Sequence, residues 1–240
     1  MTGKYSIYPL HLGDLVRQKS NIAYMREPGM KITFPVIAFY LTDGNSKILV
    51  DNGGSAPDHR YQPYTRTPDQ EPSVVLRRLG VEPSGITDVI LTHLHWDHAG
   101  NNALFPNAKF YVQRSELQYA VAPLVIHQTS YDYDLVFKTK YEVLDAEEEI
   151  LPGISVITTP GHSPGSQSVI VDTIAGRYLI AGDLIGLYEC YESNPMIVNG
   201  IHTDLIAYYK SLAKVKACNC ILLPGHDPLV LQHAVYPDKV

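Results

Sequence analysis

Six consecutive residues, His93-Leu94-His95-Trp96-Asp97-His98, bring three imidazoles and a carboxylate together directly after the apolar stretch Val89-Ile90-Leu91 and ahead of Ala99-Gly100. Neutral imidazole nitrogens and carboxylate oxygens are the donors that zinc and other borderline divalent ions take. On one extended strand these alternating and adjacent side chains would point to opposite faces. The segment is therefore expected to be a turn that fans its ligands toward two neighbouring points, and two metal ions are the first expectation.

Three more candidate ligands follow, each after an apolar β-like run and beside Gly or Pro: His162 in TTPGHSPG, Asp183 in LIAGDLIG and His226 in LLPGHDP. Strand-end loops are where a rigid scaffold displays reactive groups. A workable partition gives one metal His93, His95 and His162 and the other Asp97, His98 and His226, with Asp183 shared because a carboxylate can bridge. Each ion keeps an open position. Two ions roughly 3.5 to 4 Å apart can hold a bridging water whose pKa falls toward about 7, so hydroxide becomes the nucleophile at neutral pH. Singly, His162, Asp183 and His226 would each read as capped or surface residues; the ensemble gives them meaning. The remaining histidines, His11, His59, His127, His202 and His233, lack partner spacing and read as surface or core, with His59 and His127 in expected lid loops.

The elements that must position this set are legible as apolar, β-branched runs punctuated by turn residues. Strands are expected at Lys4 to Leu12, Phe34 to Leu41 and Lys47 to Val50, the last two joined by a hairpin through Asp43-Gly44. Ser55 to Thr67 reads as a polar functional loop. A helix over Pro72 to Leu79 precedes a strand at Asp88 to Leu91; a strand at Lys109 to Val112 and a helix from Ser115 to Ala120 follow, with 122 to 138 an irregular lid. Strands at Ile154 to Thr158, Ser168 to Asp172 and Arg177 to Ile180, a helix from Thr203 to Lys216 and a strand at Cys220 to Leu223 repeat that grammar. Glu147 to Glu149 reads as a solvated turn. Two sheet-plus-helix halves suggest an α/β fold packed sheet to sheet, a four-layered αββα sandwich.

Composition narrows the function. With 240 residues, 45% hydrophobic and 18% charged, the chain reads as one globular domain. No stretch reaches membrane-spanning length, and MTGKYSIYPLHLG does not read as a secretory signal. Three cysteines, Cys190, Cys218 and Cys220, form no disulfide framework, which fits a reducing cytoplasm. A net charge of -6, with no basic run longer than Arg77-Arg78, disfavours a nucleic-acid surface. The expected partner is a small, neutral or weakly polar molecule, without nucleic acid or membrane, and a homodimer is left open.

In their order and separations, HLHWDH, His162 in PGHSPG, Asp183 in GD and His226 in GHD resemble the metallo-β-lactamase superfamily over nearly the whole chain. Within it, Arg26-Glu27-Pro28-Gly29 followed by FPVIAFYL at 34 to 41 is similar to the N-acyl homoserine lactonase group. The resemblance implies a dinuclear zinc hydrolase, with Mn, Fe or Co as other divalent ions, that opens a lactone ring and so quenches quorum signals. One zinc would polarise the ester carbonyl while the bridging hydroxide attacks, the second would steady the leaving alkoxide, and Asp97 would orient the water or carry its proton.

This chain also departs from that group. Where the group has a substrate-holding tyrosine three residues after the bridging aspartate, this chain has Gly186, leaving Tyr188 or Tyr191 as replacements. Asn52 in DNGG stands where the superfamily commonly has threonine, a change expected to act on local turn hydrogen bonding. Met25, Phe34, Tyr61 and Tyr64 are candidates for an acyl-chain groove, and Phe34 and Tyr188 are carried forward as substrate contacts. Trp96 is expected to pack. Competing readings are a glyoxalase II-like thioesterase, disfavoured by the 14 residues after His226, a cyclic amide or other ester hydrolase, and a β-lactamase, which would place a cysteine or an unshared aspartate in the set. A non-catalytic metal-storing or sensing protein gains nothing from two ions with open coordination.

Overall fold

A long β-hairpin founds the first sheet. In the computed structural model, which describes residues 4–55 and 63–238, β1 (Ser6–Gln18) runs antiparallel to β2 (Lys31–Thr42), with an irregularity between His11 and Asp14 that bends the pair. The Asp43-Gly44 turn returns the chain into β3 (Ile48–Val50), and the Asp43 carboxylate accepts from the amides of Asn45 and Ser46 at 3.0 and 2.8 Å. A two-residue edge strand, β4 (Tyr64–Thr65), pairs on the far side of β1.

From β3 the sheet continues in parallel through β5 (Asp88–Ile90), β6 (Lys109–Gln113) and β7 (Tyr141–Leu144). Parallel neighbours require crossovers. These carry helices α1 (Pro72–Arg78), α2 (Trp96–Ala99), α3 (Arg114–Val121) and α4 (Tyr133–Lys138). The second sheet has the order β12-β11-β10-β9-β8, built from β8 (Glu148–Leu151), β9 (Ile154–Thr158), β10 (Gln167–Thr173), β11 (Gly176–Ile180) and β12 (Ile221–Leu223). Helices α5 (Tyr188–Glu192) and α6 (Leu205–Ala217) lie between β11 and β12 in sequence.

Side-chain alternation divides the core into layers. Along β2, Ile37, Phe39 and Leu41 face the second sheet and meet Ile154, Val156, Val169, Val171 and Ile180 in one buried cluster. Val36, Ala38 and Tyr40 take the opposite face and pack under Leu76, Phe105 and Ala120 of the outer helices and loops. On the other side, Ile157, Ile170 and Leu179 face Tyr208, Leu212 and Val215 of α6. The period-two pattern thus buries both faces of both sheets, giving helix, sheet, sheet, helix: the αββα sandwich. None of the helices among the described residues is long and apolar enough to cross a membrane.

Several expectations change. Glu148 and Glu149 lie in the edge strand β8, and the run is no free turn: the Glu147 carboxylate accepts from Lys214 and, at 2.9 Å, from the Thr158 hydroxyl, while Glu149 takes the amide of Gly153 at 2.8 Å. The 122 to 138 region holds a 3-10 segment over 125–130 and the helix α4, capped by Asp132. The second-half helix begins at Leu205 because the Asp204 side chain accepts the Ala207 amide at 2.9 Å. His59 and Tyr61 lie outside the described residues.

A tight seam joins α3 to the loop after β9. A Cβ added to Gly165 would stand 2.0 Å from the Glu116 backbone nitrogen and 2.4 Å from its Cα. Backbone cannot move aside as a side-chain tip can. Gly165→Ala is expected to destabilise the protein by about 3 kcal/mol, read as a lower denaturant midpoint at constant m-value; an unchanged midpoint would refute the close approach.

Candidate metal centre

Five strands end at one edge of the sandwich, and each hands over a residue of the site. Strands β3 and β5 are parallel with Val50 opposite Ile90, so Asp51 and the loop of His93 emerge side by side. In the other sheet β11 and β12 are parallel, and β9 runs the same way because both β9 and β11 are antiparallel to β10. His162, Asp183 and His226 therefore leave their strands toward the same edge. The HLHWDH segment itself is a short helical turn, with Trp96–Ala99 helical and His95 at its N-cap.

The donor atoms converge. His93, His95 and His162 form one group, His93, His98 and Asp183 a second, and Asp97, His98 and His226 a third, the ligand atoms of each lying within 4.8 Å of one another. Asp183 spans the cluster: its Oδ1 is 3.1 Å from His98 Nε2 and 2.9 Å from His226 Nε2, while Oδ2 is 3.3 Å from His162 Nε2. All five histidines are buried.

Outer contacts aim the rings. His98 Nδ1 donates to Asp51 at 2.8 Å, His162 Nδ1 to the Ile201 carbonyl at 2.7 Å and His226 Nδ1 to the Pro35 carbonyl at 2.8 Å. An oxygen acceptor on Nδ1 keeps the proton there and turns the Nε2 lone pair inward. His93 Nε2, His98 Nε2 and Asp183 Oδ1 are nevertheless buried without a hydrogen-bond partner. Buried polar atoms normally have partners, and these face a common space with lone pairs. That arrangement suits cations, and the donor set of imidazole and carboxylate fits a divalent ion.

Electrostatics separates the rings into two kinds. Burial holds His93, His95 and His162 below the ordinary imidazole range, so they stay neutral and ready to ligate. Burial also opposes charge on His98 and His226, but the Asp183 carboxylate outweighs it and raises both. Asp183, despite burial, is held well below the usual carboxylate range by His226, His98 and His162.

Two supports were not visible as such in the sequence. Asp51, at φ 58 in the left-handed region, accepts from the Thr92 amide at 2.7 Å and hydroxyl at 2.8 Å as well as from His98. The second is Glu116, fully buried in the first turn of α3. Its carboxylate accepts from the amides of Leu94 and Gly165 at 3.0 and 3.1 Å and the hydroxyls of Ser163 and Tyr131 at 2.5 and 3.2 Å. It thereby ties the loop of His93 and His95 to the loop of His162. Asn52, in turn, receives the Asn101 amide at 2.8 Å and donates to Asn102 at 2.6 Å, tying its strand end to the loop after α2.

A cavity of about 80 Å³ opens on the cluster, lined by His95, Asp97, His162, Asp183 and His226 together with Phe34, Trp96, Arg17 and Ile22. The Phe34 ring stands 5.2 Å from that of His226. Phe34 also lines a neighbouring cavity of about 830 Å³, and Tyr188 belongs to that one, its hydroxyl donating to the Leu222 carbonyl at 3.1 Å. Tyr191 lines a separate cavity with Pro195 and Met196. Tyr64 is buried against Trp96 at 5.2 Å, which accounts for both as packing, and Met25 is exposed beside Pro195 and Met196. His127 is buried with its Nδ1 2.6 Å from the Tyr119 hydroxyl. At Gly186 a Cβ would meet Ile22 at 2.6 Å, so the space a side chain would need there is filled by Ile22, from the turn after β1.

An αββα sandwich carrying this cluster at its strand ends matches a known family. The chain belongs to the metallo-beta-lactamase superfamily, whose model matches residues 33–233. It is 29% identical over 238 residues to an N-acyl homoserine lactonase of Bacillus thuringiensis, with 92% of each chain covered. The crystal structure of a quorum-quenching N-acyl homoserine lactone lactonase superposes with a TM-score of 0.85 at 27% identity, covering 100% of this chain and 99% of that one. Another, an N-acyl homoserine lactone hydrolase with the product N-hexanoyl-L-homoserine at its catalytic metal centre, gives 0.84 at 26% identity over the whole of both chains. The cluster is a divalent metal centre.

Two measurements test its electrostatics. With no metal bound, the Asp183 carboxylate favours the protonated form of His98 and His226, and a metal taking the inward Nε2 would displace that proton. Zinc binding near pH 6.5, the ordinary imidazole value, is therefore expected to release protons, with affinity weakening by about 100-fold per pH unit if both rings are involved; titration in buffers of different ionisation enthalpy would show zero release if the assignment were wrong. Asp51→Asn is expected to lower metal affinity about 10- to 100-fold, measured by competition with a chelating dye.

Proposed function

We propose that this metal-dependent hydrolase opens the ring of N-acyl homoserine lactones, acting as one domain with two zinc ions per chain. The observation that carries the dinuclear reading is Asp183, whose two oxygens face different ligand groups: Oδ2 toward His162, and Oδ1 toward His98 and His226. In this reading His93, His95 and His162 hold one ion, Asp97, His98 and His226 the other, and Asp183 both. The lactone assignment is supported by the curated relatives and solved structures, which are named for that substrate across the full length of the alignment.

Bound there, two divalent ions supply a Lewis acid for the ester carbonyl and a water acidified toward a pKa of about 7. The chain's own residues do the rest. Asp97, which lines the cavity and is less enclosed than the buried histidines, takes the proton of the attacking water and delivers it to the ring oxygen as the acyl C–O bond breaks, leaving a hydroxy acid. Phe34, Trp96 and Ile22 wall the cavity with apolar surface and keep bulk water from the reacting ester. The acyl chain is assigned to the cavity of about 830 Å³ that Phe34 shares with Tyr188, where Tyr188 offers its ring while its hydroxyl stays on Leu222. The substrate is a small molecule taken from solution in the cytoplasm, with neither nucleic acid nor membrane involved.

Asp183→Ala is expected to lose metal and lactonase activity together, because one carboxylate serves both ions. Elemental analysis of the purified wild-type protein should give about two ions per chain. A wild-type value near zero after zinc-supplemented expression, or full metal content in the variant, would remove the dinuclear model.

A further inference from the structure

The metal cavity lacks the tyrosine that relatives of the lactonase group carry three residues after the bridging aspartate, and neither nearby tyrosine replaces it. Ile22 fills the space at Gly186, Tyr188 spends its hydroxyl on Leu222, and Tyr191 lines another cavity. A substrate amide carbonyl brought into so small a space loses its water and needs a donor.

Apart from the histidines of the cluster, one basic side chain lines this cavity among the described residues: Arg17, near the end of β1. It is half-buried, and burial works against its charge while Asp97 across the cavity supports it. Its Nη1 donates to the carbonyls of Val16 and Pro63 at 3.1 and 3.3 Å. Those two contacts orient the guanidinium. A guanidinium has five N–H donors, and among the described residues Nε and Nη2 have no acceptor and no carboxylate pairs with the group within 4.0 Å. The wall also holds neutral donors, Asn21, Ser130 and Asn199; Asn199 is already occupied, its Oδ1 accepting the Ile201 amide at 2.9 Å and its Nδ2 leaning on Asp183, and the other two lack the charge and the planar fork of Arg17.

We propose that Arg17 is the substrate-anchoring residue of this chain, its free N–H groups holding the amide carbonyl oxygen of the acyl side chain while the lactone ring sits at the metal centre. The proposal rests on the lactone-opening reading. It makes acylated lactones better substrates than the bare ring, because only they carry the acceptor that Arg17 meets. A planar fork gives this contact its direction, which a lysine ammonium reproduces only in charge.

The test compares N-hexanoyl homoserine lactone with γ-butyrolactone, the same ring without the amide, on the zinc-loaded wild type, Arg17→Gln and Arg17→Lys. The ratio of kcat/KM for the acylated over the bare lactone is expected to fall tenfold or more in Arg17→Gln, through KM, and by an intermediate factor in Arg17→Lys. Calorimetric binding of the ring-opened N-hexanoyl homoserine should weaken in the same order, a readout independent of turnover. If the wild type opens the acylated lactone and both variants keep its ratio and its product affinity, the Arg17 assignment is overturned while the lactonase reading stands. If the wild type opens neither lactone and binds no product, the lactonase reading falls and the anchor with it. Should Arg17→Gln not fold, the Lys variant carries the comparison alone.

Discussion

Five imidazoles and an aspartate packed into one buried space are the constraint on which everything else in this protein depends. Each ring carries a polar edge that water would otherwise satisfy, and burying such edges costs free energy unless partners are found. The chain finds them in two directions. Outward, His98, His162 and His226 place Nδ1 on Asp51, Ile201 and Pro35; inward, Nε2 nitrogens and Asp183 Oδ1 are left facing one another at 2.9 to 3.1 Å. Part of the cost is met by the fold, and the unpartnered His93 Nε2, His98 Nε2 and Asp183 Oδ1 are left for cations.

The sandwich architecture follows from that demand for rigidity. Ligands that must meet within a few ångströms come from residues 93 to 226, far apart in sequence, so their loops have to be anchored at both ends. Parallel pairing of β3 with β5 and of β11 with β12 brings the loops out at one edge. Glu116 then welds two of them. A carboxylate that burial pushes toward its neutral form is kept useful by four donors, drawn from Leu94, Ser163, Gly165 and Tyr131. Because α3 supplies it, the outer helical layer takes part in shaping the centre rather than merely covering the sheet.

What could be read from the sequence, and what could not, divides along the same physical line. Strands buried on both faces, such as Ile154–Thr158, appear as apolar runs between Gly and Pro and were legible nearly to the residue. The candidate ligands were legible because chemistry restricts their types. Short elements were not: β4 has two residues, and α4 and α5 begin with tyrosines whose polar and aromatic neighbours show no clear period. Glu148 and Glu149 had the composition of a turn, yet edge pairing with β9 and the reach of Lys214 to Glu147 hold the segment extended. Asp51, Glu116 and Arg17 were hidden for a different reason. Nothing local marks an acid or a base whose partner lies dozens of residues away, and only the tertiary fold brings Asp51 to His98 or Arg17 to the edge of the metal cavity.

Gly186 ties the wall of the cavity to its centre. The backbone there is still needed, since its carbonyl accepts the His226 amide at 3.0 Å and so fixes the loop that carries that ring. With no side chain at this position, the space beside it is occupied by Ile22 of the turn after β1. The same β1 segment then brings Arg17 to the cavity and Phe34 of its hairpin partner β2 against His226. The donor cluster and much of the cavity wall are consequently drawn from different parts of the chain: strand-end loops of both sheets carry the imidazoles and Asp183, while the first hairpin and the turn after it bring Leu15, Arg17, Ile22 and Phe34 to the wall. Such a division lets the hairpin diverge, and the substrate with it, while the buried donors stay fixed by their outer hydrogen bonds.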